Sequence, residues 1–106
     1  MSLNIRLPKY DLEIIKQAFK HYFSKNDHLW LFGSRVDLTK HGGDLDFYIE
    51  TIEIDINVAV ARQSNFIIEL QDQLGDQKID VVLNCLSNNV TLPIYDIAKQ
   101  TGVQLL

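Results

Sequence analysis

The chain has 106 residues, of which 46% are hydrophobic and 23% are charged, and its formal net charge at pH 7 is -4. This length supports a single compact domain over residues 1–106, and the negative charge argues against nucleic-acid binding by electrostatics alone, because such binding depends on clustered lysine and arginine. No apolar stretch reaches the roughly 20 residues that a membrane span needs, and the N-terminus lacks the pattern of a signal peptide, so we expect a cytoplasmic protein.

The first third of the chain predicts one helix and one strand. Pro8 suits a helix start, and the apolar residues that follow recur every three or four positions, which predicts an amphipathic helix over residues 8–24. The apolar run HLWLF, residues 28–32, predicts a buried strand that ends at Gly33. Turn-forming residues then predict a connecting loop over residues 34–43.

Polar and apolar residues alternate from Asp44 onward, which predicts a second strand with two distinct faces. We expect the apolar face to point toward the core. The polar face carries Asp44, Asp46 and Tyr48, and the apolar face carries Leu45, Phe47 and Ile49.

The second half of the chain predicts two further helices and a third strand. A helix is expected over residues 57–74, ended by Gly75, and the run KIDVVLN predicts a strand over residues 78–84. A short helix is expected over residues 94–100, followed by a brief strand in the terminal VQLL. This order predicts an α/β protein with a small mixed β-sheet and helices packed on one face.

Three aspartates lie where the second and third strands are predicted. Asp44 and Asp46 are two residues apart, so both side chains leave the same face of a strand, about 7 Å apart. Asp80 adds a third carboxylate if its strand lies beside theirs. Carboxylate oxygens are the ligands that magnesium prefers, and two-metal phosphoryl-transfer sites hold their ions roughly 3.5–4 Å apart. The pattern therefore indicates a site for a pair of divalent cations.

The Gly33-Ser34 pair suggests a phosphate-binding turn next to these carboxylates. A glycine at the end of a strand lets a backbone N–H approach a phosphate closely, and the serine hydroxyl adds a donor. Arg35 offers a charge-assisted contact to the same phosphates. Together with a pair of metal ions, these residues indicate nucleotidyl transfer.

Each of these features, taken alone, also has a purely structural interpretation. A Gly-Ser pair after a strand is usually only a turn, an Asp-x-Asp pattern is usually the solvated face of a strand, and Asp80 alone reads as an acid at a sheet edge. Arg35 pairs with Asp37 on the surface about as readily as with a phosphate. Cys85 is expected to be a small core residue, and Trp30 is expected in the core rather than as a base-stacking platform.

The stretch GSRVDLTKHGGDLD, followed by a strand aspartate in KIDVVL, resembles the minimal nucleotidyltransferase (MNT) branch of the polymerase β-like nucleotidyltransferase superfamily. Helix, strand, Gly-Ser, Asp-x-Asp strand, helix and Asp strand occur in that family's order over nearly the whole chain. The nine-residue spacer between Ser34 and Asp44 is slightly shorter than the family's commonest form, and Gly43 stands where members often carry a polar residue. Neither departure removes a metal ligand.

The resemblance implies a role for each site residue. Asp44 and Asp46 would bind two Mg²⁺ ions, and Asp80 would bind the ion nearer the acceptor and help to deprotonate its hydroxyl. These three residues form the catalytic and metal-binding set. Gly33 and Ser34 would hold the phosphates of ATP, the nucleotide donor, and Arg35 completes the expected nucleotide-binding set.

The resemblance also implies a partner. Minimal family members are typically paired with a helical HEPN protein, an RNase-type toxin, and act as antitoxins of a type VII-like system by transferring AMP to a toxin tyrosine. A short chain leaves no room for an acceptor-binding domain, so we expect the acceptor site to come from a partner. Two alternatives stay open: an antitoxin that neutralises its partner by occlusion without catalysis, and a transferase that modifies a small molecule with a separate helical subunit.

Overall fold

The computed structural model describes residues 7–33, 44–75 and 77–106. Within these ranges the chain forms three α-helices and four strands, which confirms the predicted α/β class with a small mixed sheet. In chain order the elements are α1 (Lys9–Tyr22), β1 (His28–Phe32), β2 (Leu45–Thr51), α2 (Ile56–Leu74), β3 (Ile79–Cys85), a 3-10 turn (Leu86–Asn88), α3 (Pro93–Thr101) and β4 (Val103–Gln104).

The four strands form one sheet in the order β3-β2-β1-β4. β1 pairs antiparallel with both β2 and β4, whereas β2 and β3 run parallel and are joined through α2. Parallel neighbours start at the same end of a sheet, and an antiparallel neighbour ends there. The end of β1 and the starts of β2 and β3 therefore meet at one edge, which is where the predicted site residues fall.

Two helices, α1 and α2, cover one face of the sheet and enclose the main core. Phe66 of α2 lies at its centre, with ring centroids 6.0 Å from Phe19, 6.3 Å from Phe23 and 5.6 Å from Phe47. These are edge-on aromatic contacts, the geometry that aromatic quadrupoles favour. Apolar residues of β2 at odd positions point into this core, as the alternating pattern predicted.

The third helix packs on the opposite face, so the expectation of helices on a single face holds for α1 and α2 only. Trp30, Tyr48 and Ala98 form a second, smaller core there. Tyr48 was placed on the polar face of β2, yet it is fully buried. A two-residue period separates the faces of a strand, but it does not show that a later helix covers the second face.

A polar network fixes α3 over this second core. The Tyr48 hydroxyl donates to Glu50 Oε2 at 2.8 Å and accepts from Asn84 Nδ2 at 3.0 Å. Lys99 of α3 donates to the same Glu50 oxygen at 3.1 Å and lies 5.3 Å from the Trp30 ring centroid. Burial raises the pKa of Tyr48 far above its ordinary value, and the hydrogen bond to the Glu50 carboxylate raises it further. Tyr48 is therefore a neutral structural donor.

Local signals explain the bounds of α2. The Asp55 carboxylate caps the helix by accepting from the backbone N–H groups of Asn57 and Val58 at 2.9 and 3.4 Å. Gly75 ends it with a φ of 87°, a conformation that favours glycine. The predicted end of this helix is confirmed.

Several isolated residues lie as the sequence predicted. Cys85 is a free, buried thiol whose pKa is raised by burial, and Trp30 is 6% exposed. His21 and His28 are exposed, while His41 lies outside the described residues. In the ranges that the structure describes, no helix is long and apolar enough to cross a membrane.

Candidate functional site

The three predicted aspartates come together at the edge where β1 ends and β2 and β3 begin. Asp46 and Asp80 are direct register partners on the parallel pair β2 and β3, and Asp46 is also the register partner of Phe32 on β1. Asp44 immediately precedes β2. The expectation that the strand of Asp80 lies beside that of Asp46 is confirmed, so two strands contribute carboxylates to one surface.

Asp46 is the central member of this group, which we call the carboxylate edge (Asp44, Asp46 and Asp80). Partial burial raises the pKa of its carboxyl, and the charges of Asp80 and then Asp44 raise it further, whereas Lys78 lowers it. Both raising causes disfavour the ionised form. A bound cation opposes each of them, because it replaces lost hydration and screens the repulsion between carboxylates.

The carboxylate edge is accessible from solvent. Asp44 and Asp46 are half-buried, and Asp80 is exposed. Among the described residues, no three His, Cys, Asp or Glu side chains are grouped closely enough to surround one metal ion.

Gly33 lies against Asp46 and leaves the space that its carboxylate fills. Its φ is 80°, and a Cβ added at this position would stand 2.3 Å from Asp46 Oδ2. Any larger residue would therefore displace the carboxylate, in addition to the strain of a positive φ. The sequence predicted that Gly33 lets backbone approach a ligand, and the structure adds a second reason for glycine here.

Replacing Gly33 with alanine should destabilise the protein more than the same change at Gly75. Both glycines have a positive φ, but an added Cβ at Gly75 meets nothing within 4 Å. The strain of the backbone, about 1 kcal/mol, is common to both variants, and crowding against Asp46 adds roughly 1–3 kcal/mol for Gly33→Ala alone. Urea unfolding of the two variants measures this difference. Equal losses would show that Asp46 moves aside freely.

Two residues of the predicted site, Ser34 and Arg35, lie outside the described residues. One residue that the sequence did not single out does lie at the carboxylate edge: Lys78, whose Nζ is 3.8 Å from Asp44 Oδ2. Its position in the sequence identifies it. Lys78 stands two residues before Asp80, and the parallel register of β2 and β3 places Lys78 beside the start of β2.

Two cavities lie elsewhere on the molecule. One of about 420 Å³ lies where the end of α1 meets the start of β1, and one of about 270 Å³ lies between α2, the end of β3 and α3. Neither is lined by an aspartate of the carboxylate edge. The carboxylates of the proposed site thus lie outside both of these cavities.

Comparison with known proteins adds no identification. No family model matches the chain, and no curated protein matches it either.

Proposed function

We propose that this protein is a magnesium-dependent nucleotidyltransferase of the cytoplasm that transfers AMP from ATP to a hydroxyl group. The acceptor we favour is a tyrosine of a HEPN-type toxin, which makes the protein the antitoxin of that pair. The observation that carries the proposal is the register pairing of Asp46 with Asp80, with Asp44 directly before the same strand. It brings an Asp-x-Asp pair and a third carboxylate to one edge of the sheet.

The residues present fit a divalent-cation site. The donors are carboxylate oxygens, which Mg²⁺ prefers. Burial and then the charges of Asp80 and Asp44 raise the pKa of Asp46, and a cation opposes both causes. Asp44 and Asp46 would hold both ions, and Asp80 one of them. When bound, the ions neutralise the triphosphate and increase the acidity of an acceptor hydroxyl.

The protein's own groups would then position the reactants. Gly33 keeps the space beside Asp46 open, so that its carboxylate keeps its place at the carboxylate edge. Asp80, the exposed member, is accessible to an acceptor that arrives from solvent and would accept the proton of its hydroxyl. The exposure of Asp80 suits a protein acceptor, because a large partner can approach an exposed carboxylate.

The test is transfer of labelled AMP. Purified protein is incubated with Mg²⁺ and ATP labelled in the α-phosphate, alone and with candidate HEPN proteins. We expect label on a tyrosine of the partner. The Asp80→Asn variant should lose at least about 100-fold in transfer rate, whereas Asp72→Asn, which changes an exposed aspartate on α2, should keep full activity.

Two outcomes contradict the proposal in different ways. Suppose that neither the wild type nor Asp80→Asn transfers label to the partner, while Asp80→Asn still neutralises it fully. Neutralisation then occurs by occlusion. If label appears only on a low-molecular-weight acceptor, the protein is a transferase of the small-molecule class.

A further inference from the structure

Lys78 is held beside the carboxylate edge by the backbone. Its carbonyl oxygen accepts a hydrogen bond of 3.0 Å from the N–H of Leu45, at the start of β2. Its side chain lies near the start of the same strand, with Nζ 3.8 Å from Asp44 Oδ2. In the described part of the chain, this is the one ion pair that involves an aspartate of the carboxylate edge.

The contact is a loose one. The side chain of Lys78 is 69% exposed and that of Asp44 is 44% exposed, and the distance lies near the limit for an ion pair. Exposed pairs of this kind change an equilibrium only about two- to fivefold. Lys78 is thus a weakly held cation at a place where carboxylate charges accumulate.

A divalent cation at Asp44 changes what Lys78 does. A metal ion repels the ammonium group and competes with it for the same oxygen. The displaced lysine has a flexible four-carbon stem and three donors, and lysine binds phosphate as a point charge. A nucleotide triphosphate bound through metal at this edge would place phosphate oxygens within its range.

We propose that Lys78 is the counter-ion of the carboxylate edge in the metal-free protein and transfers to the nucleotide phosphates when metal and nucleotide bind. This inference rests on the proposed function. It makes Lys78 a nucleotide-binding residue with opposite effects on two ligands. Lys78 weakens the binding of metal alone, because it competes for Asp44, and it strengthens the binding of the metal–nucleotide complex, because it pairs with phosphate.

The test measures two affinities in the Lys78→Ala variant at low ionic strength. Binding of Mn²⁺ alone is followed by the electron paramagnetic resonance signal of the free ion. Binding of the α,β-methylene analogue of ATP, which resists transfer of the nucleotidyl group, is measured at saturating Mn²⁺. We expect Mn²⁺ alone to bind about two- to fivefold more tightly than to the wild type, and the analogue to bind about two- to tenfold more weakly.

Two further variants serve as controls. Lys78→Arg keeps the charge and should restore both affinities toward those of the wild type. Lys25→Ala removes an exposed lysine in the turn between α1 and β1, at the other end of the sheet, and should change neither affinity. A general electrostatic effect of lost positive charge would appear equally in Lys25→Ala.

Three results overturn the inference: no change in Mn²⁺ affinity, changes of both affinities in the same direction, or equal effects in Lys25→Ala. The measurement needs no transfer reaction. If the opposite changes appear while no AMP transfer is found with any acceptor, the assignment of Lys78 to metal and nucleotide binding stands and the proposed transferase activity fails.

Discussion

Replacing Asp46 with asparagine should raise the stability of the metal-free protein and abolish the proposed AMP transfer. Asp46 is partly buried between two like charges, Asp80 and Asp44, so its ionised form opposes folding at neutral pH. Asparagine has nearly the same shape and no charge. We expect a gain of roughly 0.2–1 kcal/mol in the free energy of unfolding, the range typical of adjacent charged pairs in a sheet. Because Asp46 is the ligand proposed for both metal ions, its loss should lower the proposed transfer by at least about 100-fold.

The stability gain should depend on pH in a defined direction. Because burial and the neighbouring charges raise the pKa of Asp46 above its ordinary value in the folded protein, the stability that this carboxyl contributes is complete below its unfolded-state pKa. That contribution is lost as the pH rises through the folded-state pKa. The advantage of Asp46→Asn should therefore be largest near neutral pH and should disappear in acid, where Asp46 is protonated and neutral.

Urea unfolding in the presence of a chelator measures the effect, with Asp72→Asn on the exposed face of α2 as the matched control. The control removes the same charge from the protein without removing a neighbour of Asp46. A gain of equal size in both variants would assign the effect to net charge. A loss of stability in Asp46→Asn would contradict the repulsion on which the carboxylate edge is based.

Replacing Asp27 with alanine should destabilise the protein by roughly 2–4 kcal/mol. Asp27 is 3% exposed, and its two carboxylate oxygens accept from the backbone N–H of Ile52 at 2.8 Å and of Ser24 at 2.9 Å. It joins the turn before β1 to the end of β2. Alanine removes two hydrogen bonds to a charged acceptor at a partly buried site, and a bond of this kind contributes about 1.5–3 kcal/mol.

Thermal unfolding measures the loss, and Asp55→Ala is the control. Asp55 also accepts from two backbone N–H groups, at the start of α2, but it is exposed and water replaces it. A cap of this kind contributes about 1 kcal/mol. For a domain of about 100 residues, 1 kcal/mol corresponds to roughly 4–8 °C, so the midpoint of Asp27→Ala should fall by 10 °C or more. Similar losses in the two variants would show that burial of Asp27 adds nothing.

The placement of the carboxylate edge could be predicted because it follows from local patterns. Alternation along β2 put Asp44 and Asp46 on one face. The position of Asp80 depended on its strand lying beside theirs, which the parallel pairing of β2 with β3 shows. Gly33 was predicted as a turn residue at the end of β1. That its missing side chain leaves room for Asp46 depends on register between two strands, which no local pattern specifies.

Other features required the structure because they depend on distant parts of the chain. Asp27 looked like a turn residue, since nothing near it in sequence shows that it accepts from Ile52. Tyr48 was expected on the polar face of β2, and it is buried because α3, about 50 residues later, covers that face. The sequence did not single out Lys78, because its place beside Asp44 depends on the pairing of β3 with β2. The predictions for Ser34 and Arg35 remain predictions.

The central claim is that the carboxylate edge binds divalent cations, and direct titration tests it. Mn²⁺ is added to the metal-free protein, and the unbound ion is counted by electron paramagnetic resonance. We expect saturable binding of about two ions per chain, weakened at least about 10-fold in Asp46→Asn and in Asp80→Asn and unchanged in Asp72→Asn. Wild-type protein that binds no Mn²⁺, or the same binding by all four proteins, would contradict it.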